Sequence, residues 1–255
     1  MMFTEVPFLE RFGAAADAGF RGVEYLFPYE VTPDEIRAQL DRHGLTQVLF
    51  NAPAGNWAGG ERGIAALPDR VEEYRSGVRI ALQYARATGC KKLHVMPGKV
   101  PAGSDQKKYL FVFVDNLAYT ADAVAADGID VMVEPINTRV DIPGYLVDRT
   151  DRAMQLITSA ARPNIKLQFD IYHVQIMEGD LARSIERLLP YIGHMQLADN
   201  PGRNEPGTGE IHYEWLLKRI DELGYTGWIG CEYKPRARTL EGLAWARPYL
   251  DRSRG

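Results

Sequence analysis

The chain repeats one unit: a short apolar run, a loop, then a longer amphipathic stretch. Apolar or β-branched runs lie at residues 22–27, 47–51, 92–96, 130–136, 165–171, 194–198 and 228–232. Helix signals fill the intervals. Thr32 is an N-cap, Pro33 takes the first helical position, Asp34 and Glu35 place acids in the first turn, and Gly44 ends the helix. Residues 71–88 and 110–126 carry apolar side chains at helical spacing and stop at Gly89 and Gly128; Thr150-Asp151 and Asp180 read as caps of two further helices, and residues 213–223 end at Gly224. Strands alternating with helices require right-handed crossovers and a parallel sheet. No linker interrupts the rhythm, so residues 1–255 read as one α/β domain, of a length typical for a (β/α)8 TIM barrel. The rival is an open doubly wound sheet, but its glycine fingerprint after the first strand is missing, and Gly207-x-Gly209 is too short to replace it. Seven strands are legible rather than eight. The first element, residues 7–18, reads as a helix with Phe8, Leu9, Phe12, Ala15 and Ala16 on one face, and only six residues precede it. The expectation is a barrel whose first strand is missing from this chain: either the start is misassigned or the barrel is open there, with an edge that invites pairing.

The bulk properties exclude several partners. Net charge is −4 and the basic residues are dispersed, so neither nucleic acid nor an anionic lipid surface is implied. No apolar run reaches transmembrane length, and the N-terminus lacks the pattern of a secretory signal. Cys90 and Cys231 are far apart and form no CxxC pair, which suits a reducing, cytoplasmic setting. GxSxG, HExxH and P-loop motifs are lacking.

Oxygen donors recur at the C-terminal ends of the last four strands, where barrels carry their chemistry. Glu134 and Asp170 end two of them, Gln196 lies in the third, and Glu232 ends the fourth. A single acid there is most often a solvated rim residue. Four on successive strands make a hard-cation site, suited to Mg²⁺ or Mn²⁺, because an unpaired acid in an apolar strand is costly to bury. His173 is a candidate for binding substrate or orienting a ligand. Arg203 and Lys234 are candidates for gripping an anion. Asn51 opens a glycine-rich segment through Trp57 and Arg62 that reads as a lid, with an ordinary ordered loop as the plain alternative. Cys231 reads as packing, and His94 and His43 as structural.

Several segments together resemble the hydroxypyruvate isomerase family within the xylose-isomerase-like barrels: Gly19-Phe-Arg-Gly-Val-Glu-Tyr-Leu-Phe-Pro-Tyr29, Gly60-Glu-Arg-Gly63, Glu134-Pro-Ile-Asn137, Phe169-Asp-Ile-Tyr-His173, Gly193-His-Met-Gln196, Glu205-Pro-Gly-Thr-Gly-Glu210 and Gly230-Cys-Glu-Tyr-Lys-Pro235. The resemblance implies that Glu134 and Glu232 are the acid/base pair, and that both, with Asp170 and Gln196, are metal ligands. It implies an isomerase that interconverts hydroxypyruvate and tartronate semialdehyde through an enediolate. The family's 2-oxo-tetronate isomerases and the ketose 3-epimerases are the neighbouring readings, and the epimerases usually carry histidine where Gln196 stands. The expected partner is a small hydroxy or oxo acid. Homo-oligomers are a further expectation, with apolar surface near Trp57, Trp215 or Trp245 as the interface. Two rivals stand outside this class. A metal-dependent endonuclease would want a histidine-rich multi-zinc site and a basic groove, and a truncated barrel would bind a small acid without turnover.

Overall fold

A computed structural model describes residues 1–251. Among these, seven parallel strands form one sheet in sequence order: β1 (Gly22–Tyr25), β2 (Thr46–Asn51), β3 (Lys92–His94), β4 (Asp130–Val133), β5 (Ile165–Asp170), β6 (Ile192–Leu197) and β7 (Ile229–Cys231). Helices alternate with them: α1 (Glu10–Asp17), α2 (Pro33–His43), α3 (Val71–Thr88), α4 (Gln106–Val124), α5 (Thr150–Ala160), α6 (Ile171–Met177), α7 (Leu181–Leu188), α8 (Tyr213–Glu222) and α9 (Arg247–Asp251). The alternation therefore builds the expected α/β barrel wall.

The helix ends follow the local chemistry. Thr32 and Glu35 form a reciprocal capping box, Pro33 opens α2, and Gly44 ends it in the left-handed region. Two expected caps differ. The Thr150 backbone N–H and hydroxyl both donate to Glu178, so the cap of α5 comes from a distant carboxylate. Asp180 precedes α7 with no side-chain cap. Helix α6, which follows β5 without a loop, is not legible from spacing.

Parallel strands are covered on both faces, so they read as apolar runs. Leu93, Val131, Val133, Leu167, Phe169 and Met195 are fully buried between the sheet and helices. The segment expected as a lid is bolted down at its far end: the N–H groups of Ala65 and Ala66 donate to the carbonyls of Met96 and Pro97, and Ile64, Ala65 and Ala66 are buried. Trp57 packs against Phe27 beneath the Arg62 guanidinium, Trp245 packs against Tyr233, and Trp215 is exposed.

Strands β1 and β7 are the two edges of the sheet. An apolar cleft of about 470 Å³ lies beside them, lined by residues including Phe3, Phe12, Tyr25, Trp228 and Trp245. One polar strut spans the seam. Glu24 of β1 passes over Gly230 of β7 and accepts hydrogen bonds from His194 (2.6 Å) and Gln196 (2.8 Å) of β6. A Cβ on Gly230 would collide with the Glu24 carboxylate. Gly230→Ala should therefore break the strut and cost about 1–3 kcal/mol, as overpacked positions do. Urea denaturation checks this; unchanged stability would show that the strut carries no load.

Candidate active site

Three carboxylates reach the mouth because their strands end there. Glu134 follows the last residue of β4 and is buried. Its Oε2 lies 3.5 Å from His94 Nε2, and its Oε1 lies 3.8 Å from His173 Nε2. Asp170 ends β5 and also caps α6: one oxygen accepts from the Tyr172 N–H at 2.9 Å, and the other lies 3.6 Å from His173 Nε2. Glu232 follows β7, and its backbone N–H donates to the Leu197 carbonyl, which fixes it beside β6.

Arg203 ties this group together. Its guanidinium lies 2.8 Å from Asp141, 3.1 Å from Glu232 and 3.9 Å from Asp170, over the ring of Tyr172. Its backbone is left-handed (φ 54°), a conformation costly for a non-glycine residue that persists only where the surroundings impose it. They do so here. The Lys234 N–H donates to the Arg203 carbonyl, and Asn204 donates to the Lys234 carbonyl. The Asp199 carboxylate gathers the N–H groups of Gly207, Thr208, Gly209 and Ile211.

The other expected residues sort differently. Lys234 is exposed, and its backbone is what holds the Arg203 loop. Asn51 is buried, with its carbonyl oxygen 3.2 Å from His94 Nδ1. Gln196 accepts from Gln168 at 2.6 Å and donates to Glu24. His94, read from the sequence as structural, instead stands against Glu134. Asn137, Asp141 and Glu24 were also missed. Asp141 and Glu24 lie outside the strand-end pattern, and an acid on a loop or a first strand carries no spacing signal.

Burial sets the protonation of the site. Glu134 is pushed well above the usual carboxylate range by desolvation and by the charges of Glu232 and Asp170. Glu232 is raised by desolvation, against the pull of Arg203. Asp170 is pushed up to about 7 by desolvation, again opposed by Arg203. His94 falls to about 3 and His173 well below its ordinary value, both through burial, so both imidazoles are neutral. Glu24 goes the other way: burial raises it, but the charge and hydrogen bonds of His194 and Gln196 outweigh that and hold it low.

The residues fit a divalent cation. Glu134 Oε1 and Asp170 Oδ2 are buried oxygens without a hydrogen-bond partner among the described residues, and donor atoms of Glu134, Asp170 and His173 all lie within 4.8 Å of one another. Two orphaned carboxylate oxygens beside an imidazole nitrogen can serve as donors to such an ion.

A parallel barrel wall with a carboxylate-lined mouth defines a class, and sequence comparison agrees. The chain belongs to the xylose isomerase-like TIM barrel family, whose model matches residues 12–249. It is 51% identical to a 2-oxo-tetronate isomerase of Cupriavidus necator, over 99% of this chain and 96% of that protein. It is 48% identical to a hydroxypyruvate isomerase of Escherichia coli, over 98% and 96%. A crystal structure titled AP endonuclease, family 2, from Brucella melitensis superposes with a TM-score of 0.94 at 50% identity, covering 97% of this chain and 95% of that one. With this fold and these relatives, the chain is an isomerase.

Asp170 generates a pH prediction. Its pKa rises on folding from an ordinary 3.8 to about 7, so the unfolded chain releases this proton first. The folded state is then penalised progressively as pH climbs through that window, and fully above it. In buffer without divalent cations, Asp170→Asn should raise Tm at pH 8, keep the α6 cap, and lose that advantage progressively as pH falls to about 4. An unchanged or lower Tm at pH 8 would contradict this.

Proposed function

We propose that the chain interconverts hydroxypyruvate and tartronate semialdehyde (2-hydroxy-3-oxopropanoate), with Glu134 and Glu232 as the acid/base pair. The observation that carries this reading is the pair of unpartnered, buried oxygens on Glu134 and Asp170, with Glu232 held in the same mouth by Arg203. Glu134, Asp170, Gln196 and Glu232 would hold Mg²⁺ or Mn²⁺, which would supply Lewis-acid stabilisation of the negative charge that builds on two neighbouring substrate oxygens.

The reaction moves a carbonyl by one carbon. A C–H bond at C3 breaks and its electron pair forms the C2–C3 double bond of an enediolate, while the C2 carbonyl π pair moves onto O2. The O3 hydroxyl proton then passes to O2, the C3–O3 double bond forms, and the C2–C3 π pair takes a proton at C2. One glutamate takes the first proton and the other delivers the second. Raised carboxyl pKa values suit both tasks, because such a group can accept and donate near neutral pH. Arg203 would grip the substrate carboxylate from inside the mouth, with Lys234 at its rim. His173 Nε2 and the buried Asn51 amide would contact the hydroxyl and carbonyl oxygens. The neutral His94 ring braces Glu134 from behind. Dispersed Cys90 and Cys231, both free thiols with raised pKa, suit a reducing cytoplasm.

A four-carbon 2-oxo-tetronate is the second reading, favoured by the name of the Cupriavidus necator relative. The same proton transfer serves both substrates.

Glu232→Gln removes a base while preserving shape. It should lower kcat by about 10²–10⁴-fold and leave the circular dichroism spectrum unchanged. Near-normal turnover of hydroxypyruvate by this variant would sink the two-glutamate scheme.

A further inference from the structure

The proposed substrate is an anion, and the cation at the centre of the mouth is already shared. The Arg203 guanidinium faces Asp141 at 2.8 Å, Glu232 at 3.1 Å and Asp170 at 3.9 Å. A substrate carboxylate adds a fourth acid to that one positive charge, so a second cation is needed beside it.

The segment after β2 holds a cation with half of its donors unspent. Gly63 is anchored beside the end of β3. Its N–H donates to the Ala54 carbonyl, it pairs across from Pro97, and a Cβ there would collide with the Met96 carbonyl. Arg62, one residue before this anchor, is half-buried. Its guanidinium lies 4.2 Å over the Trp57 ring, and Trp57 packs at 5.0 Å against Phe27, two residues beyond β1. The stack therefore stands at the C-terminal ends of the strands, the end that also carries Glu134, Asp170 and Glu232. Arg62 Nη1 donates to the carbonyls of Trp57 (3.1 Å) and Glu61 (2.7 Å). Its Nε and Nη2 make no hydrogen bond among the described residues, and no carboxylate there pairs with the guanidinium. The adjacent acid is committed elsewhere: Glu61 accepts from Arg70 at 2.8 Å and from the Asn56 N–H. Nε–H and Nη2–H are parallel donors on one edge of a plane, the shape that takes a carboxylate bidentately.

We propose that Arg62 is the second cation on the substrate carboxylate, and that it makes this a site for short oxo and hydroxy acids rather than for neutral sugars. Trp57 holds the guanidinium plane by stacking and two backbone carbonyls fix its rotation, so little freedom is lost on binding. The identity of the anion rests on the isomerase reading; the anion site itself stands on the geometry of Arg62.

The test is calorimetric titration with D-glycerate in MgCl₂, since glycerate has the carboxylate and hydroxyls but no ketone to isomerise. Arg62→Gln should weaken glycerate binding by about 10–100-fold, the scale of a charge-assisted contact. Arg62→Lys keeps the charge without the fork and should recover part of that loss. Mn²⁺ affinity, read by electron paramagnetic resonance, should not fall in either variant. With hydroxypyruvate, KM should rise by the same factor while kcat changes little, the signature of a contact made equally in ground and transition states. Unchanged glycerate affinity in Arg62→Gln overturns the proposal, and so does a wild-type protein that fails to bind glycerate. A parallel fall in Mn²⁺ affinity would reduce Arg62 to a support of the Trp57 stack and overturns it too. Arg62-dependent glycerate binding without turnover of three- or four-carbon acids would defeat the isomerase reading and leave the anion site in place.

Discussion

Everything at the mouth of this barrel depends on the cost of burying like charges together. Glu134 and Asp170 lie in an interior that penalises even one unpaired carboxylate, and each raises the cost of the other. The fold offsets part of that cost with Arg203, whose guanidinium lies within 4 Å of Glu232, Asp170 and Asp141. It leaves the remainder uncompensated: Glu134 Oε1 and Asp170 Oδ2 have no hydrogen-bond partner among the described residues. A site of this kind is expensive to keep unless a cation and a polar substrate complete it, and perturbed carboxyl groups clustered in a cleft are what proton-transfer chemistry requires.

The scaffold supplies the rigidity such a cluster needs. Each acid stands at a strand terminus, and each strand is pinned by its parallel neighbours. Glu24 does for the seam between β1 and β7 what ladder hydrogen bonds do elsewhere. The Arg203 loop is held by the Asp199 carboxylate and the Lys234 backbone, which together impose its left-handed residue. Positive charge is thereby delivered to the mouth from a loop.

Much of this was legible in the sequence. The strand–helix rhythm gives the barrel, and the strand-end acids Glu134, Asp170 and Glu232 do meet in one mouth, joined by His173 and Arg203. What stayed hidden did so for physical reasons. The sequence reads Gln196 as a ligand, but not that its amide also bonds Gln168 and reaches across to Glu24 of β1. Lys234 reads as an anion grip, and the sequence does not reveal that its backbone also holds the Arg203 loop. His94 had no metal-spaced neighbour along the chain, and its partner Glu134 comes from the adjacent strand, forty residues on. Asn137 and Asp141 reach His173 and Arg203 through a turn that no residue spacing encodes. Short-range rules report caps and periods; contacts across strands appear only when the wall is assembled.

The most direct measurement is proton NMR of the purified protein with hydroxypyruvate in D₂O, with MgCl₂ or MnCl₂ supplied. The account predicts conversion to the aldehyde with deuterium entering at carbon, dependent on the added cation and abolished in Glu134→Gln. Exchange or conversion that proceeds undiminished in Glu134→Gln, or a folded, cation-loaded protein that acts on neither hydroxypyruvate nor a four-carbon 2-oxo acid, would contradict it.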